Sequence, residues 1–406
     1  MSQQRLVVVG ASLAGVRAVQ AAREAGFDGH IVLVGAEEHL PYDRPPLSKV
    51  FLEATVEPPL PTFQDRKFLR DDLGIDLRLG APATGLDTAA RTVTVADVPL
   101  EYDRLVIATG AKARGLAGFE HLAGVHTLRT LEDARAVRRA LHAGARTVVI
   151  GAGFIGSEVA SSARKRGQSV TVIEALPTPL VRAIGEVMGK ACAALHAANG
   201  NVLRCGVSVT GLEGDGRVER VVLSDGTVLP ADLVVVGVGA EPATGWLAGS
   251  GLALHDGVVC DKTLATSAPG VYAAGDVARW WNPLFERYMR LEHWTSAAEQ
   301  GAVAARNAVS PGAAEPYETV PYFWSDWYGT RIQFVGVPDG DHIERIGDAD
   351  RFVALYRHGH RLVGALAFNR PALTMKYRGL IRRRAGWDDA MEFAARGRAV
   401  DEPVAG

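Results

Sequence analysis

The chain has 406 residues, of which 48% are hydrophobic and 22% are charged. This composition is typical of a globular protein and not of a disordered or fibrous one. The length corresponds to about two or three domains. Its 44 Lys and Arg residues nearly balance 46 Asp and Glu residues, which leaves a net charge of −2. A global electrostatic preference for nucleic acid or for an anionic membrane is therefore excluded.

Neither the apolar runs nor the cysteines indicate export. The apolar runs stay short of the roughly 20 residues that cross a bilayer, and Arg5 leads directly into Leu6–Val9 without a signal-peptide layout. We expect a cytoplasmic location and neither a membrane nor a nucleic-acid partner. The three cysteines, Cys192, Cys205 and Cys260, lie far apart, which argues against a dithiol active site.

The chain opens with an apolar strand, a glycine-rich turn and a helix of small residues. The turn reads Gly10-x-Ser12-x-x-Gly15, the helix covers about residues 13–25, and Ile31–Val34 returns as a second strand. Such a turn suits a pyrophosphate, because a position without Cβ lets the phosphate approach and the helix N-terminus offers N–H groups. The turn therefore predicts a first dinucleotide site.

Two further segments complete this first site. The carboxylate that follows the second strand in such units is Glu37 or Glu38 here. A later buried run ends in Thr109 and Gly110, where a returning strand reaches the same site.

The same unit recurs around Gly151-x-Gly153-x-x-Gly156, with a helix over about residues 154–166 and a strand at Val170–Ile173. This copy has all three glycines of the dinucleotide-binding pattern. Two copies in strand–turn–helix context predict parallel strands with helical crossovers, and hence two doubly wound sheets.

A carboxylate, Glu174, closes the second strand of this copy. At that position it accepts hydrogen bonds from the ribose hydroxyls and repels a 2′-phosphate, so the second site is predicted to prefer NADH to NADPH. Arg164, Arg166 and Arg182 are the nearby residues that would overturn this preference. A later apolar run, like the one in the first copy, ends at Gly239.

After about residue 320 the pattern changes to short strands, Ile332–Val335, Phe352–Tyr356 and Leu362–Phe368, separated by turn residues. It predicts an antiparallel sheet with a final helix. His358 and His360 fall in one of the hairpin turns and are expected at the surface. The predicted fold class is α/β, with two Rossmann-type dinucleotide-binding domains and a C-terminal α+β domain in a glutathione reductase-like architecture.

Two dinucleotides in one chain imply that electrons pass between them, and the economical pairing is a permanent FAD with an exchangeable NADH. The apolar strand that begins at Val271 ends in Asp276, a carboxylate suited to a ribityl hydroxyl. Disulfide reductases of this architecture need a redox cysteine after the first unit. Residues 43–49 contain none, so such an activity is disfavoured.

Four motifs, Pro41–Lys49, Val149–Glu158, Tyr272–Asp276 and Pro321–Asp326, resemble those of the FAD-dependent NADH:ferredoxin reductases of bacterial oxygenase systems. This resemblance implies an FAD domain in two segments, 1–111 and 241–320, around an NAD domain at 112–240, with a C-terminal interface domain at 321–406.

The motifs and the resemblance assign residues to both cofactors. Those for FAD are Gly10, Ser12, Leu13, Ala14, Gly15, Glu37, Arg44, Lys49, Ala83, Thr109, Gly110, Arg129, Asp276, Trp294 and Trp324. Those for NAD are Gly151, Gly153, Phe154, Ile155, Gly156, Glu158, Glu174, Arg182 and Gly239. The resemblance also implies that Lys49 and Glu158 form a catalytic pair beside the flavin N5.

The implied activity is the transfer of hydride from NADH to FAD and of single electrons to a small ferredoxin, 2Fe–2S or another type. That ferredoxin would serve a haem-thiolate monooxygenase or a Rieske dioxygenase. The alternatives are a rubredoxin reductase and an FAD- and NADH-binding interaction protein of the apoptosis-inducing-factor type. The chain is expected to be a monomer or a weak homodimer.

An acidic ferredoxin would dock on a basic surface. The candidates are Arg66, Lys67 and Arg70, and a second group near the end of the chain, Lys376, Arg378, Arg382, Arg383 and Arg384. Five aromatic residues are candidates for a wall of the flavin site, although packing alone explains most of them: Tyr322, Phe323, Trp324, Trp327 and Tyr328.

Overall fold

The computed structural model of the protein describes the backbone of residues 4–119 and 121–401, and the side chains of this part as far as residue 396. The helices, in chain order, are α1 Leu13–Glu24, α2 Val50–Glu53, α3 Leu131–His142, α4 Phe154–Lys165, α5 Val181–Ala198, α6 Trp294–Val309, α7 Pro371–Arg382 and α8 Trp387–Asp401.

The first strands are β1 Arg5–Val9, β2 His30–Val34, β3 Ile75–Arg78, β4 Ala83–Asp87, β5 Thr92–Val95, β6 Val98–Glu101, β7 Arg104–Ile107, β8 Ala111–Ala113, β9 Val125–His126, β10 Thr147–Ile150, β11 Val170–Glu174, β12 Val202–Cys205 and β13 Val209–Glu213. The remaining strands are β14 Arg220–Leu223, β15 Val228–Pro230, β16 Leu233–Val236, β17 Ala240–Pro242, β18 Val258–Cys260, β19 Val271–Ala273, β20 Ala278–Asn282, β21 Arg287–Met289, β22 Tyr322–Trp327, β23 Thr330–Gly336, β24 His342–Gly347, β25 Phe352–His358 and β26 Arg361–Phe368.

The chain divides into two compact units. The first comprises the described residues up to Asp43, Pro59–Lys112 and Ala240–Thr319. Its main sheet has the order β19-β7-β1-β2-β3, and all neighbouring strands in it are parallel. The strands are apolar runs because helices cover a parallel sheet on both faces. The predicted β1–α1–β2 unit is confirmed, and its helix ends one residue earlier than expected, at Glu24.

The second unit comprises Arg44–Pro58, Ala113–Gly239 and the described residues from Val320 onward. Its parallel sheet has the order β12-β11-β10-β16-β9. This sheet repeats the topology of the first around β10 and α4, so the predicted pair of doubly wound sheets is confirmed. The division of the sequence into four domain segments stays a prediction.

The C-terminal sheet is antiparallel throughout, in the order β22-β23-β26-β25-β24. Its three predicted strands are present, but the sequence did not predict β22 or the edge strand β24, whose side chains are half-exposed and partly charged. The prediction of one final helix was wrong: α7 and α8 follow the sheet. A left-handed residue between them, Arg384 with φ 58°, ends α7.

The helix α5 is interrupted at a point where it contacts the C-terminal sheet. Gly185 has φ 77° and interrupts the helical backbone, and a break of this kind leaves carbonyl groups without an intrahelical donor. The Tyr356 hydroxyl of β25, which is fully buried, donates to the Ile184 carbonyl over 2.6 Å. The sheet therefore supplies a hydrogen bond that the helix lacks.

A buried polar cluster joins α4, α5 and the turn after β22. The Asn201 amide donates to the Tyr328 hydroxyl over 2.8 Å, which directs the hydroxyl proton to His196 Nδ1, also 2.8 Å away. His196 Nε2 then donates to Ser157 Oγ at 3.2 Å. A neutral imidazole, with one donor and one acceptor nitrogen, satisfies both bonds, and burial lowers the pKa of His196 to about 4.

This cluster predicts a loss of stability in mild acid. Between pH 6.5 and 4 the unfolded chain binds a proton on His196 that the folded chain does not, so the free energy of unfolding falls as the pH falls through this range. The full contribution is about 3 kcal/mol. Urea unfolding followed by circular dichroism at pH 6.5 and 4 should show a smaller pH dependence for His196→Asn than for the wild type.

The exposed His358, the last residue of β25, provides the control, because His358→Asn removes a histidine that is not buried and should keep the wild-type pH dependence. An unchanged dependence in His196→Asn would contradict the assignment.

Candidate functional site

The first glycine-rich turn lies between β1 and α1. Gly10 has φ 121°, and a Cβ there would lie 2.1 Å from the Ala108 carbonyl oxygen; a Cβ on Gly15 would lie 1.9 Å from the Gly10 carbonyl oxygen. Both positions therefore require glycine. Ser12 is the N-cap residue, yet its side chain makes no capping hydrogen bond. Because no side chain caps this helix, its N-terminal N–H groups are left to a phosphate.

Other predicted FAD residues of the first unit collect at the same edge of the sheet. Parallel neighbours β1, β7 and β19 end there, so the turn at Gly10, the pair Thr109 and Gly110, and Asp276 follow adjacent strand ends. Leu13 and Ala14 are buried in the first turn of α1.

The remaining assigned residues of this unit have partners of their own. Glu37 accepts a hydrogen bond of 2.6 Å from the Tyr42 hydroxyl. The Trp294 indole donates to Asp43 over 2.8 Å. Ala83 lies on β4, in a separate three-stranded sheet. The choice between Glu37 and Glu38 as the ribose ligand stays a prediction.

The second glycine-rich turn lies between β10 and α4. A Cβ on Gly151 would lie 2.4 Å from the Gly237 carbonyl oxygen, and one on Gly156 would lie 2.0 Å from the Gly151 carbonyl oxygen. Gly153 differs, because a Cβ there would meet nothing nearer than 3.7 Å and its φ of −77° suits any residue. Packing and backbone conformation do not require Gly153 to be glycine, whereas close approach of a ligand would. Phe154 and Ile155 follow it as the first residues of α4.

Glu174 ties the end of β11 to this turn. Its Oε2 accepts from the Ala152 N–H over 2.8 Å and its Oε1 from the Leu176 N–H over 2.9 Å. The carboxylate is thereby fixed beside the glycine-rich turn. Gly239, with φ 109°, follows the neighbouring strand β16.

The three arginines that the sequence predicts near this site differ in their position and in their existing partners. Arg166 donates to the Leu52 carbonyl over 3.0 Å and lies near two further carbonyls of the same segment, so its guanidinium already has partners. Arg164 and Arg182 are exposed. Arg164 lies in the last turn of α4, at the opposite end of this helix from the glycine-rich turn, so Arg182 at the start of α5 is the one that would oppose Glu174.

The structure brings Lys49 and Glu158 together. Lys49 Nζ lies 2.8 Å from Glu158 Oε1, and the exposed fractions of the two side chains are 21% and 4%. Lys49 follows the short turn Pro45–Ser48, and Glu158 lies in the second turn of α4. This ion pair is therefore mostly withdrawn from water.

Two serines that the sequence analysis missed also contact this carboxylate. Ser48 donates to Glu158 Oε2 and Ser325 donates to Glu158 Oε1, each over 2.5 Å. Both serines stand inside motifs that carry the family resemblance. Their position in those motifs was the available signal, but serine by itself indicates no partner.

Three predicted FAD residues besides Lys49 belong to the second unit: Arg44, Arg129 and Trp324. Arg44 donates to the Arg129 carbonyl over 2.7 Å. Trp324 is half-buried and its ring stacks on Tyr322 with centroids 5.8 Å apart.

The other aromatic residues of β22 belong to a hydrophobic core. Phe323 and Trp327 pack in one cluster with Ile184 and Met188 of α5. Packing therefore explains these two rings, as expected for most of the set.

Both groups of basic candidates reach the surface. Arg66, Lys67 and Arg70 are exposed in the first unit, and Lys376, Arg382, Arg383 and Arg384 are exposed on and just after α7. Arg378 is half-buried and donates to the Val320 carbonyl over 3.1 Å. The C-terminal group without Arg378 is called the α7 surface below.

The three cysteines are unsuited to disulfide chemistry. Cys192 and Cys260 are buried, and burial raises the pKa of Cys192 and raises that of Cys260 to about 12. The pKa of Cys205 is raised by burial and then by the charge of Glu174. Because the thiolate is the nucleophile, a raised pKa disfavours attack by each of these thiols at neutral pH. Among the described residues, no helix has the length and apolarity that a membrane span needs.

Comparisons with known proteins agree on one family. A family model described as pyridine nucleotide-disulphide oxidoreductase matches residues 4–301, and one described as reductase C-terminal matches residues 322–396. The ferredoxin–NAD(+) reductase component of the biphenyl dioxygenase system of Paraburkholderia xenovorans (strain LB400) is 40% identical over 339 residues, covering 82% of this chain and 81% of that protein.

Rhodocoxin reductase of Rhodococcus erythropolis is 36% identical over 382 residues, covering 93% of this chain and 89% of that protein. The crystal structure of the covalent putidaredoxin reductase–putidaredoxin complex matches with a TM-score of 0.89 and 34% identity, covering 95% of this chain and 94% of the matched chain.

The distances in the second glycine-rich turn predict losses of stability of different size when two of its glycines are replaced by alanine. Gly156→Ala should lower the free energy of unfolding by about 2 kcal/mol, because its Cβ would force α4 away from the Gly151 carbonyl. Gly153→Ala is the matched control and should cost less than about 1 kcal/mol, since its Cβ has space. Urea unfolding measures both changes, and equal losses would contradict the distinction.

Proposed function

The chain belongs to the pyridine nucleotide-disulphide oxidoreductase family, and from this membership we propose that it is an NADH-dependent ferredoxin reductase of an oxygenase system. The observation that carries the proposal is the duplicated glycine-rich turn at the N-terminus of a helix, at Gly10 and at Gly151. The relatives named as reductase components of a dioxygenase system and as rhodocoxin reductase support ferredoxin as the acceptor.

Both turns fit a dinucleotide. In the first, Ser12 leaves the helix N-terminus uncapped; in the second, Gly153 leaves the approach open. We assign FAD to the first turn and NADH to the second. FAD supplies the capacity to accept a hydride and to release electrons one at a time, and this chemistry belongs to the cofactor.

The residues of the chain position the cofactors and distinguish NADH from NADPH. Glu174, fixed by two backbone N–H groups, offers its carboxylate to ribose hydroxyls and repels a 2′-phosphate. Lys49 provides a positive charge whose position is set by Glu158. A cation held in this way would stabilise negative charge that develops on the reduced cofactor.

The acceptor is external, because the three cysteines are free thiols and form no redox pair that would take the electrons. We propose that the α7 surface docks an acidic 2Fe–2S or similar ferredoxin. This surface carries four exposed cations, and Met375 of α7 is 42% exposed. The cations speed encounter with an acidic partner at low salt, and an exposed apolar side chain adds contact area.

Rubredoxin as acceptor and an interaction role of the apoptosis-inducing-factor type remain the alternatives. A monomeric or weakly dimeric state and a cytoplasmic location remain predictions of the sequence.

Stopped-flow mixing of the FAD-loaded protein with NADH tests the activity. The flavin absorbance should bleach, and the reduced protein should reduce an acidic ferredoxin more slowly as salt is added. Lys49→Met should slow bleaching at saturating NADH about tenfold while FAD is retained, because the buried carboxylate loses its cation.

Lys165→Met is the matched control, since it removes another lysine paired with a carboxylate, Glu53, and should leave the rate unchanged. A wild-type rate in Lys49→Met would remove Lys49 from catalysis. Bleaching without transfer to ferredoxin would favour the interaction role.

Glu174→Gln should reduce the preference for NADH over NADPH about tenfold, because it removes the charge that repels the 2′-phosphate. The amide oxygen of Gln accepts only one of the two backbone N–H groups that Glu174 holds, so the melting temperature is measured alongside to show that the variant stays folded. Dissociation constants of NAD⁺ and NADP⁺ measure the effect, with the exposed Glu213→Gln as control. An unchanged ratio would mean that Glu174 does not contact the ribose.

A further inference from the structure

The Glu158 carboxylate has more hydrogen-bond donors than its ion pair requires. Glu158 is 3% exposed, and Oε1 receives both the Lys49 ammonium at 2.8 Å and the Ser325 hydroxyl at 2.5 Å, while Oε2 receives the Ser48 hydroxyl at 2.5 Å. Both oxygens are therefore held, and the carboxylate plane is set by partners on two sides.

The direction of the Ser325 hydrogen bond follows from a second contact. The indole Nε1–H of Trp327 donates to Ser325 Oγ over 2.8 Å. Because an indole N–H can only donate, Ser325 Oγ accepts this bond and its single proton points to Glu158. The order Trp327 to Ser325 to Glu158 is therefore fixed by the chemistry of the groups.

The strand that carries Ser325 cannot readily release it. Ser325 is fully buried, as is Trp327, and β22 pairs with β23 at Ser325 opposite Ile332. The neighbours of Ser325 on the same face, Phe323 and Trp327, are anchored in the core cluster with α5. The packing of this strand therefore holds the Ser325 hydroxyl in place.

We propose that Ser325, oriented by Trp327, is a positioning residue for hydride transfer: it fixes the Glu158 carboxylate and, through it, the Lys49 ammonium. The proposal deepens the proposed function and rests on the roles given there to Lys49 and Glu158. The C-terminal sheet then forms part of the hydride-transfer site as well as carrying the docking helix α7.

Ser325 is a cleaner probe than Ser48. Ser48 is the neighbour of Lys49 in the chain, and its hydroxyl also lies 3.4 Å from the Pro45 carbonyl, so its replacement changes more than the contact with Glu158. Ser325 is distant in sequence from both members of the ion pair.

The chain offers a matched control in Ser161. This buried serine of α4 accepts the Tyr328 N–H over 2.7 Å, so it too joins α4 to the region of β22, without touching Glu158. Ser161→Ala and Ser325→Ala each remove one buried hydroxyl between these elements. A purely structural role predicts similar effects from both.

The test compares Ser325→Ala, Ser325→Thr and Ser161→Ala in the FAD-loaded protein. Four quantities are measured: the limiting rate of flavin bleaching by NADH, the dissociation constant of NAD⁺, the midpoint potential of the flavin, and the melting temperature. Ser325→Ala should lower the limiting rate about tenfold, which is the effect of losing one hydrogen bond to a charged group. It should also shift the potential to more negative values, because the Lys49 cation is less well held, with NAD⁺ affinity changed less than about twofold.

Ser161→Ala should keep the wild-type rate and potential while lowering the melting temperature, and Ser325→Thr, which keeps a hydroxyl, should recover most of the rate. If Ser325→Thr does not fold, Trp327→Phe replaces it. That change keeps a ring but frees the direction of the Ser325 proton, and should lower the rate less than Ser325→Ala does.

The proposal is overturned if Ser325→Ala matches Ser161→Ala in rate and potential. It is also overturned if Ser325→Thr lowers the limiting rate as much as Ser325→Ala does. Where Trp327→Phe replaces the threonine variant, an equal loss in Trp327→Phe and Ser325→Ala has the same meaning. A wild-type protein that NADH does not bleach would refute the proposed function itself, which is a different result.

Discussion

A carboxylate with almost no access to water organises the second unit. Burying an ionised group is costly unless it is paired and hydrogen-bonded, and Glu158 meets this condition only with partners from elsewhere in the chain. Lys49 and Ser48 come from the segment 44–58, and Ser325 from the C-terminal sheet. The carboxylate therefore holds two chain segments against α4, and removing any one of its three partners leaves the buried charge with fewer hydrogen bonds. The ion pair for which we propose a catalytic role therefore also contributes to the packing of this unit.

The repeated architecture could be predicted from the sequence because its signals are local. A β-branched run, a glycine-rich turn and a helix of small residues each follow from a few neighbouring side chains, and they occur twice. The strand β24 could not be found in this way, since its half-exposed, charged residues obtain their strand conformation from pairing with β25. The division of the last helix likewise depends on one left-handed residue, Arg384, which its sequence neighbourhood does not single out.

The candidate site shows the same division. The glycines and Glu174 were predictable because spacing along the chain places them at one turn. Within the motif, however, the sequence does not separate Gly156, which packing requires, from Gly153, which packing does not; only the distances to nearby atoms do. Ser48 and Ser325 belong to motifs of the family resemblance, but their shared partner Glu158 lies 110 and 167 positions away from them along the chain. Contacts at such separations follow from the tertiary fold and carry no local pattern.

The interrupted helix α5 has a consequence for exchanging parts between related reductases. At Gly185 the helix is interrupted, and the Ile184 carbonyl accepts its hydrogen bond from Tyr356 of the C-terminal sheet. In a chimera whose C-terminal sheet comes from a relative, the Ile184 carbonyl loses its donor unless that relative has a tyrosine at the position of Tyr356. The segment to exchange is thus larger than the C-terminal domain, because it must include both the interrupted helix and the sheet that donates to it.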